Sequence, residues 1–192
     1  TASDVLSGSG LSSSAAFEVL LGTILNHLFN DGKVSDVEIA QIAQAAENKF
    51  FGKPCGLLDQ MTSSVGSFVE IDFADPAKPV IEKLDFDFAS CGYALCIVDT
   101  GGSHSDLTDE YAAVREEMES VAEYLGKSVL REVDEDEFMK NIADIRSSCG
   151  DRAVLRAMHF YGDNARVEKQ AAALKAGDFE TFKKYIIESG RS

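Results

Sequence analysis

Apolar residues recur at Phe17, Leu20, Leu21, Ile24, Leu25 and Leu28, three and four positions apart, and predict an amphipathic helix ending near Asn30-Asp31-Gly32. A second helix is predicted from Ser35, where Ser35 and Glu38 form a capping-box pattern. It continues through Val37, Ile39, Ala40, Ile42, Ala43 and Ala46 and stops at Gly52 and Pro54. Residues 67–73 and 80–84 alternate in places around Asp75-Pro76 and Pro79, which predicts a hairpin or two neighbouring strands. Residues 93–98 are continuously apolar, the pattern of a strand buried on both faces. Beyond them the period becomes helical, with Leu107, Tyr111, Val114, Met118, Val121 and Leu125 on one stripe and Gly126 as its stop. Further helices are predicted over 134–147, 152–175 and 179–188. The last two are split by a C′ glycine, Gly177, and an N-cap aspartate, Asp178. The pattern changes near Ser90. The fold class expected is therefore α/β (α+β), with a sheet-bearing part over 1–90 and a mainly helical part over 91–192.

A chain of 192 residues with 45% hydrophobic content can bury a sizeable core. Its 33 acidic and 18 basic residues leave a net charge of −15, a field that repels nucleic acid and anionic membranes. No apolar run is long enough to cross a bilayer and no charged-then-apolar leader occurs, so the cytoplasm is the expected location. Cys55, Cys91, Cys96 and Cys149 form no C-x-x-C pair, which argues against structural zinc and predicts buried, reduced thiols. The chain opens at Thr1 without an initiator methionine, on what reads as the end of a strand, and is expected to be a piece of a longer protein.

The stretch before the first helix, L-S-G-S-G-L-S-S-S-A-A-F over 6–17, carries the first candidate chemistry. A helix start leaves backbone N–H groups without partners at the positive end of the macrodipole, which suits an anion. Gly8 and Gly10 allow close backbone approach, and Ser12, Ser13 and Ser14 offer hydroxyls to a cap, a phosphate or a metal. No Lys or Arg lies between Thr1 and Gly32, so this is not a Walker loop with its lysine. On residues alone a plain Gly/Ser loop with a serine cap is the favoured reading.

Asp59 stands among apolar neighbours in C-G-L-L-D-Q-M, either as a helix cap or as a functional carboxylate. Glu47 falls on the last turn of a predicted helix, where a carboxylate opposes the dipole and invites a cation. Solvation alone is the other reading. Tyr111 follows the segment 99–110 and fits either a ligand contact or the apolar stripe of its own helix. His104 reads as a loop hydrogen-bonder, and Arg156 and His159 as structural.

Together G-S-G-L-S-S-S-A-A and K-P-C-G-L-L-D-Q-M-T-S-S resemble motifs of the GHMP kinases, and the resemblance runs in order along almost the whole chain. It implies an ATP-dependent kinase that phosphorylates the 1-hydroxyl of a monosaccharide, galactose first among the candidates. Gly8, Ser9, Gly10, Leu11, Ser12, Ser13 and Ser14 would hold the ATP phosphates, Ser14 and Glu47 a Mg2+ ion, and Asp59 the sugar hydroxyl as base. Gly56, Asp59 and Tyr111 would contact the sugar. Residues 1–90 would be part of the family's N-terminal domain and 91–192 the first part of its C-terminal domain. Alternatives are a kinase for galacturonate, arabinose or N-acetylgalactosamine, or a non-catalytic sensor of the same fold. The family's N-terminal sugar-reading motif, with its arginine, and its C-terminal segment have no counterpart here. The chain by itself is therefore expected to be inactive and marginally stable or self-associating.

Overall fold

A computed structural model describes residues 5, 10–52, 55–75, 77–98 and 108–192, with the side chain of Thr108 left aside. Gly8, Ser9 and His104, and the rest of segment 99–107, lie outside the described residues. The chain divides into two compact units, residues 1–104 and 105–192.

The first unit contains helices α1 (Ser13–Phe29), α2 (Asp36–Ala46) and α3 (Leu58–Val65), followed by strands β1 (Phe68–Asp72) and β2 (Val80–Leu84). The three helices contact one another in pairs, and α3 also touches β1. Ser35 begins α2 with a complete capping box: its hydroxyl accepts from the Glu38 N–H, and the Glu38 carboxylate accepts from the Ser35 N–H at 2.9 Å. The strands pair antiparallel, Phe68 opposite Leu84 and Asp72 opposite Val80. Among the described residues the core includes two small clusters: Val19, Ile39 and Ala43, and Ala40, Leu57 and Met61.

The face that α1 buries is not the one its leucines mark. Phe17, Leu20, Leu21, Ile24, Leu25 and Leu28 remain 41% to 69% exposed, while Ala15, Val19 and Asn26 are buried. Small residues decide this. Ala15, Val19, Gly22 and Asn26 share a face, and a Cβ added to Gly22 would lie 3.2 Å from Ile39 Cγ2, so α2 approaches closely at Gly22. Asn26 then uses its amide on the backbone of Val34, accepting from its N–H at 3.1 Å and donating to its C=O at 2.9 Å. That pair fastens the turn between α1 and α2.

The expected buried strand at 93–98 is also corrected. These residues have no strand assignment and are exposed throughout, Leu95 and Val98 both at 79%. A strand buried on both faces needs ladder partners and two covering layers, and the sheet among the described residues consists of β1 and β2 alone.

The second unit is helical: α4 (Thr108–Tyr124), α5 (Glu135–Lys140), α6 (Ile142–Cys149), α7 (Asp151–Lys175) and α8 (Phe179–Ser189). The single helix expected over 134–147 is two helices. Asp134 caps the first by accepting from the Asp136 and Glu137 N–H groups. Asn141 divides them, and its side chain donates to the Glu137 carbonyl at 2.8 Å, competing with the backbone ladder. Asp178 caps α8 through the Thr181 N–H at 3.0 Å. The core joins Val121, Ala122, Leu130, Val133, Phe138, Ile145, Ala153, Val154, Ala157 and Tyr161 in one cluster. The Phe138 and Tyr161 rings meet at 5.3 Å between centroids. Arg156 pairs with Glu117, and His159 Nε2 lies 3.4 Å from Asp163 Oδ2, so both do structural work. All four cysteines are free thiols, but none is buried: Cys96 is exposed with its segment, and the others are half-buried. No described helix is long and apolar enough to cross a membrane.

Candidate functional site

The site is assembled at the start of α1. Gly10 has φ 76°, and Ser12, the residue before the helix, is also left-handed at φ 53°, ψ 49°. A non-glycine residue in that region signals a constrained turn. The Ser12 hydroxyl makes no cap bond to its own helix. It donates instead to Asp59 Oδ2 at 2.5 Å, across 47 residues of sequence. The N–H groups of the first turn of α1 thus keep the polarity that suits an anion.

Asp59 is the second residue of α3, after Leu57 as N-cap and Leu58 as the first helical position, so it does not cap the helix. Its carboxylate is exposed and sits in the first turn, where the dipole stabilises negative charge. Gly56, just upstream, is exposed, and a Cβ there would meet no atom within 4 Å among the described residues. Substrate-sized groups can approach both.

Glu47 lies where α2 gives way to a wider π-type turn, Glu47–Phe51, closed by Gly52 at φ 68°. Such turns widen the backbone and re-aim side chains. Glu47 is only 4% exposed, which removes the solvated helix-end reading. Ser14 Oγ donates to its Oε1 at 3.2 Å and Gln60 Nε2 to its Oε2 at 3.0 Å. Burial and then the charge of Glu47 push the Cys55 thiol up to about 11, so Cys55 is a protonated neighbour and no nucleophile. Asn48 fixes the return loop: its Oδ1 accepts from the Cys55 N–H at 2.8 Å and its Nδ2 donates to the Cys55 C=O at 3.3 Å. Gln44 donates to the same carbonyl at 3.2 Å.

One constellation therefore contains Ser12 with Asp59 and Ser14 with Glu47, on either side of one helix start. Gly10, Leu11 and Ser13 belong to that turn by sequence. Tyr111 stands 60% exposed on α4 in the other unit, so its place in its own helix stripe does not make it a core residue. Sequence reasoning missed Gln44, Asn48 and Gln60 as supports. The signal for Gln60 was present as an amide between Asp59 and Met61 in an otherwise apolar run.

Hydroxyl and carboxylate oxygens, Ser14 Oγ and Glu47 Oε1, are the hard donors that magnesium takes, and the described residues hold no cluster of three or more His, Cys, Asp or Glu that would cage an ion. An open two-ligand set fits an ion completed by phosphates and water.

Residues 1–67 match the model of the GHMP kinases N terminal domain. Within that class the resemblance is to galactokinases. The galactokinase of Actinobacillus pleuropneumoniae is 37% identical over 176 residues, 92% of this chain and 44% of that protein. That of Thermotoga petrophila is 35% identical over 188 residues, 96% of this chain and 50% of that protein. The crystal structure of Lactococcus lactis galactokinase complexed with galactose matches with a TM-score of 0.70 at 26% identity, over 96% of this chain and 47% of that one. The chain spans about half the length of the curated relatives it matches.

Proposed function

We propose that the intact protein containing this chain phosphorylates the 1-hydroxyl of galactose with ATP, through Mg2+, in the cytoplasm. The observation that carries this reading is the paired contact at the α1 start, Ser12 to Asp59 and Ser14 to Glu47. The galactokinase relatives support it independently. In the family's terms, residues 1–90 are part of the N-terminal domain and 91–192 the first part of the C-terminal one.

Phosphoryl transfer asks a protein for positioning and charge stabilisation more than for covalent chemistry. The segment Gly8-Ser9-Gly10-Leu11-Ser12-Ser13-Ser14 and the first N–H groups of α1 hold phosphate oxygens without a lysine. Ser14 and Glu47 hold the metal ion, whose charge, when it is bound, offsets that building on the phosphates. Asp59 receives the sugar hydroxyl, orients its oxygen toward the γ-phosphorus and takes its proton. Substrate then replaces Ser12 as the hydrogen-bond donor to Asp59. Gly56 leaves room for the sugar ring because it has no side chain.

Sugar-dependent ADP release by the intact protein, measured over galactose, galacturonate, arabinose and N-acetylgalactosamine, tests this. Galactose is expected to give the highest kcat/KM. Binding of sugar and ATP without ADP release would establish a sensor instead.

A further inference from the structure

We propose that Gln60 is a positioning residue for the metal-binding carboxylate: its amide clamps Glu47 in the orientation that Ser14 and the metal ion share. This deepens the reading above and rests on Ser14 and Glu47 as the metal ligands.

Gln60 is 1% exposed, on the inner face of α3. Its Nε2 donates to Glu47 Oε2 at 3.0 Å and touches Cys55 Sγ at 3.5 Å. Its Oε1 is buried with no hydrogen-bond partner among the described residues. An amide so placed costs stability, because a buried acceptor left unsatisfied is unfavourable. A leucine or methionine would fill the same space without that cost. The polar contact that gives the amide a purpose is the one to Glu47.

The chemistry of the donor matters. A lysine or arginine at this place would satisfy Glu47 but compete with a cation for it. A neutral amide holds one oxygen and leaves the full negative charge available. Ser14 and Gln60 bond opposite oxygens, so the carboxylate is held from α1 on one side and α3 on the other. Adjacent residues of α3 are thereby divided: Asp59 faces outward to Ser12 and Gln60 inward to Glu47. Gln60 thus ties the helix that carries the base to the metal carboxylate. Removing it would free Glu47 to turn toward other partners.

The test uses the intact protein with a non-hydrolysable ATP analogue, so no turnover is needed. Calorimetry measures the affinity of Mg2+ for the analogue complex in the wild type, Gln60→Met and Glu47→Ala. Gln60→Met is expected to weaken Mg2+ binding about 10- to 100-fold, the usual cost of losing a partner behind a metal ligand, with metal-free nucleotide affinity changed less than about threefold. If Gln60→Met keeps Mg2+ affinity within about threefold while Glu47→Ala loses it, the clamp is wrong and the metal site stands. If Glu47→Ala also keeps it, the metal-site reading itself fails. Should Gln60→Met not fold, the side-chain amide signals of Gln60 in 15N-glutamine-labelled wild-type protein decide. They are expected to shift on Mg2+ titration, and unmoved signals overturn the proposal.

Discussion

The two units distribute chemistry and packing in opposite ways. The first brings Ser12, Ser14, Glu47, Asp59 and Gln60 together through side-chain bonds that span 13 to 47 residues, beside small apolar clusters such as Val19, Ile39 and Ala43 among the described residues. The second packs ten buried residues, Phe138 and Tyr161 among them, into one cluster, and its charged pairs, such as Arg156 with Glu117, tie helices together. Burial correlates with purpose in each. A polar network in the first unit runs from the exposed Asp59 to the buried Glu47 and Gln60, while an apolar one in the second supplies cohesion. The lesson is that a buried carboxylate such as Glu47, held by side chains from two other helices, is better evidence of chemistry than a salt bridge on a helix surface.

The sharpest way to break this contrast is at Asp59. Asp59→Asn in the intact protein is expected to lower kcat by about 10²- to 10⁴-fold while leaving nucleotide affinity and thermal stability nearly unchanged, because the side chain is exposed. A loss of less than about threefold would return Asp59 to a structural role.

The converse experiment is Phe138→Ala. A fully buried ring in the second unit's cluster should cost about 3–5 kcal/mol in urea unfolding, with metal-free nucleotide affinity retained wherever the variant is folded. If nucleotide affinity fell in step with stability, the division of labour between the units would be wrong.

A smaller effect sharpens the picture inside the second unit. Burial pushes the Asp163 carboxyl up, but hydrogen bonds from Arg166 and Ser189, with the charges of His159 and Arg166, pull it further down, to a net value below the ordinary range. A carboxylate depressed in the folded state stabilises above its unfolded pKa, near about 4, and that contribution is lost as pH falls through the lower folded value. The Tm of the wild type should therefore fall more steeply than that of Asp163→Asn on acidification below about pH 4. Parallel curves would remove Asp163 from the account of how α7 and α8 hold together.

Much of the secondary structure was legible from the chain because its causes are local. The Ser35 and Glu38 box, the Gly177-Asp178 break and the paired strands about Asp75 each follow from a few neighbouring residues. The serine loop, Glu47 and Asp59 were singled out by the resemblance to the GHMP kinases; on their own residues a plain loop, a solvated helix end and a cap were the readier readings. Which face of α1 is buried was not legible. Its leucines outweigh Ala15, Val19, Gly22 and Asn26 in hydrophobicity, and packing on α2 and α3, with Ile39 close against Gly22, goes with burial of the smaller face. The pattern at 93–98 likewise names a strand, yet pairing is a property of two segments, and the described residues supply no partner for it.

The candidate site divides along the same line. The sequence by itself determined which groups could act: hydroxyls and free N–H groups at a helix start without a lysine, one carboxylate at a helix end, and another among apolar neighbours. These follow from residue type and spacing, which need no fold. Only the tertiary structure decided that Ser12 reaches Asp59, that Glu47 is buried against Ser14, and that Gln60 stands behind it. Contacts between residues so far apart in sequence exist only once three helices pack, because packing, unlike propensity, depends on which surfaces meet.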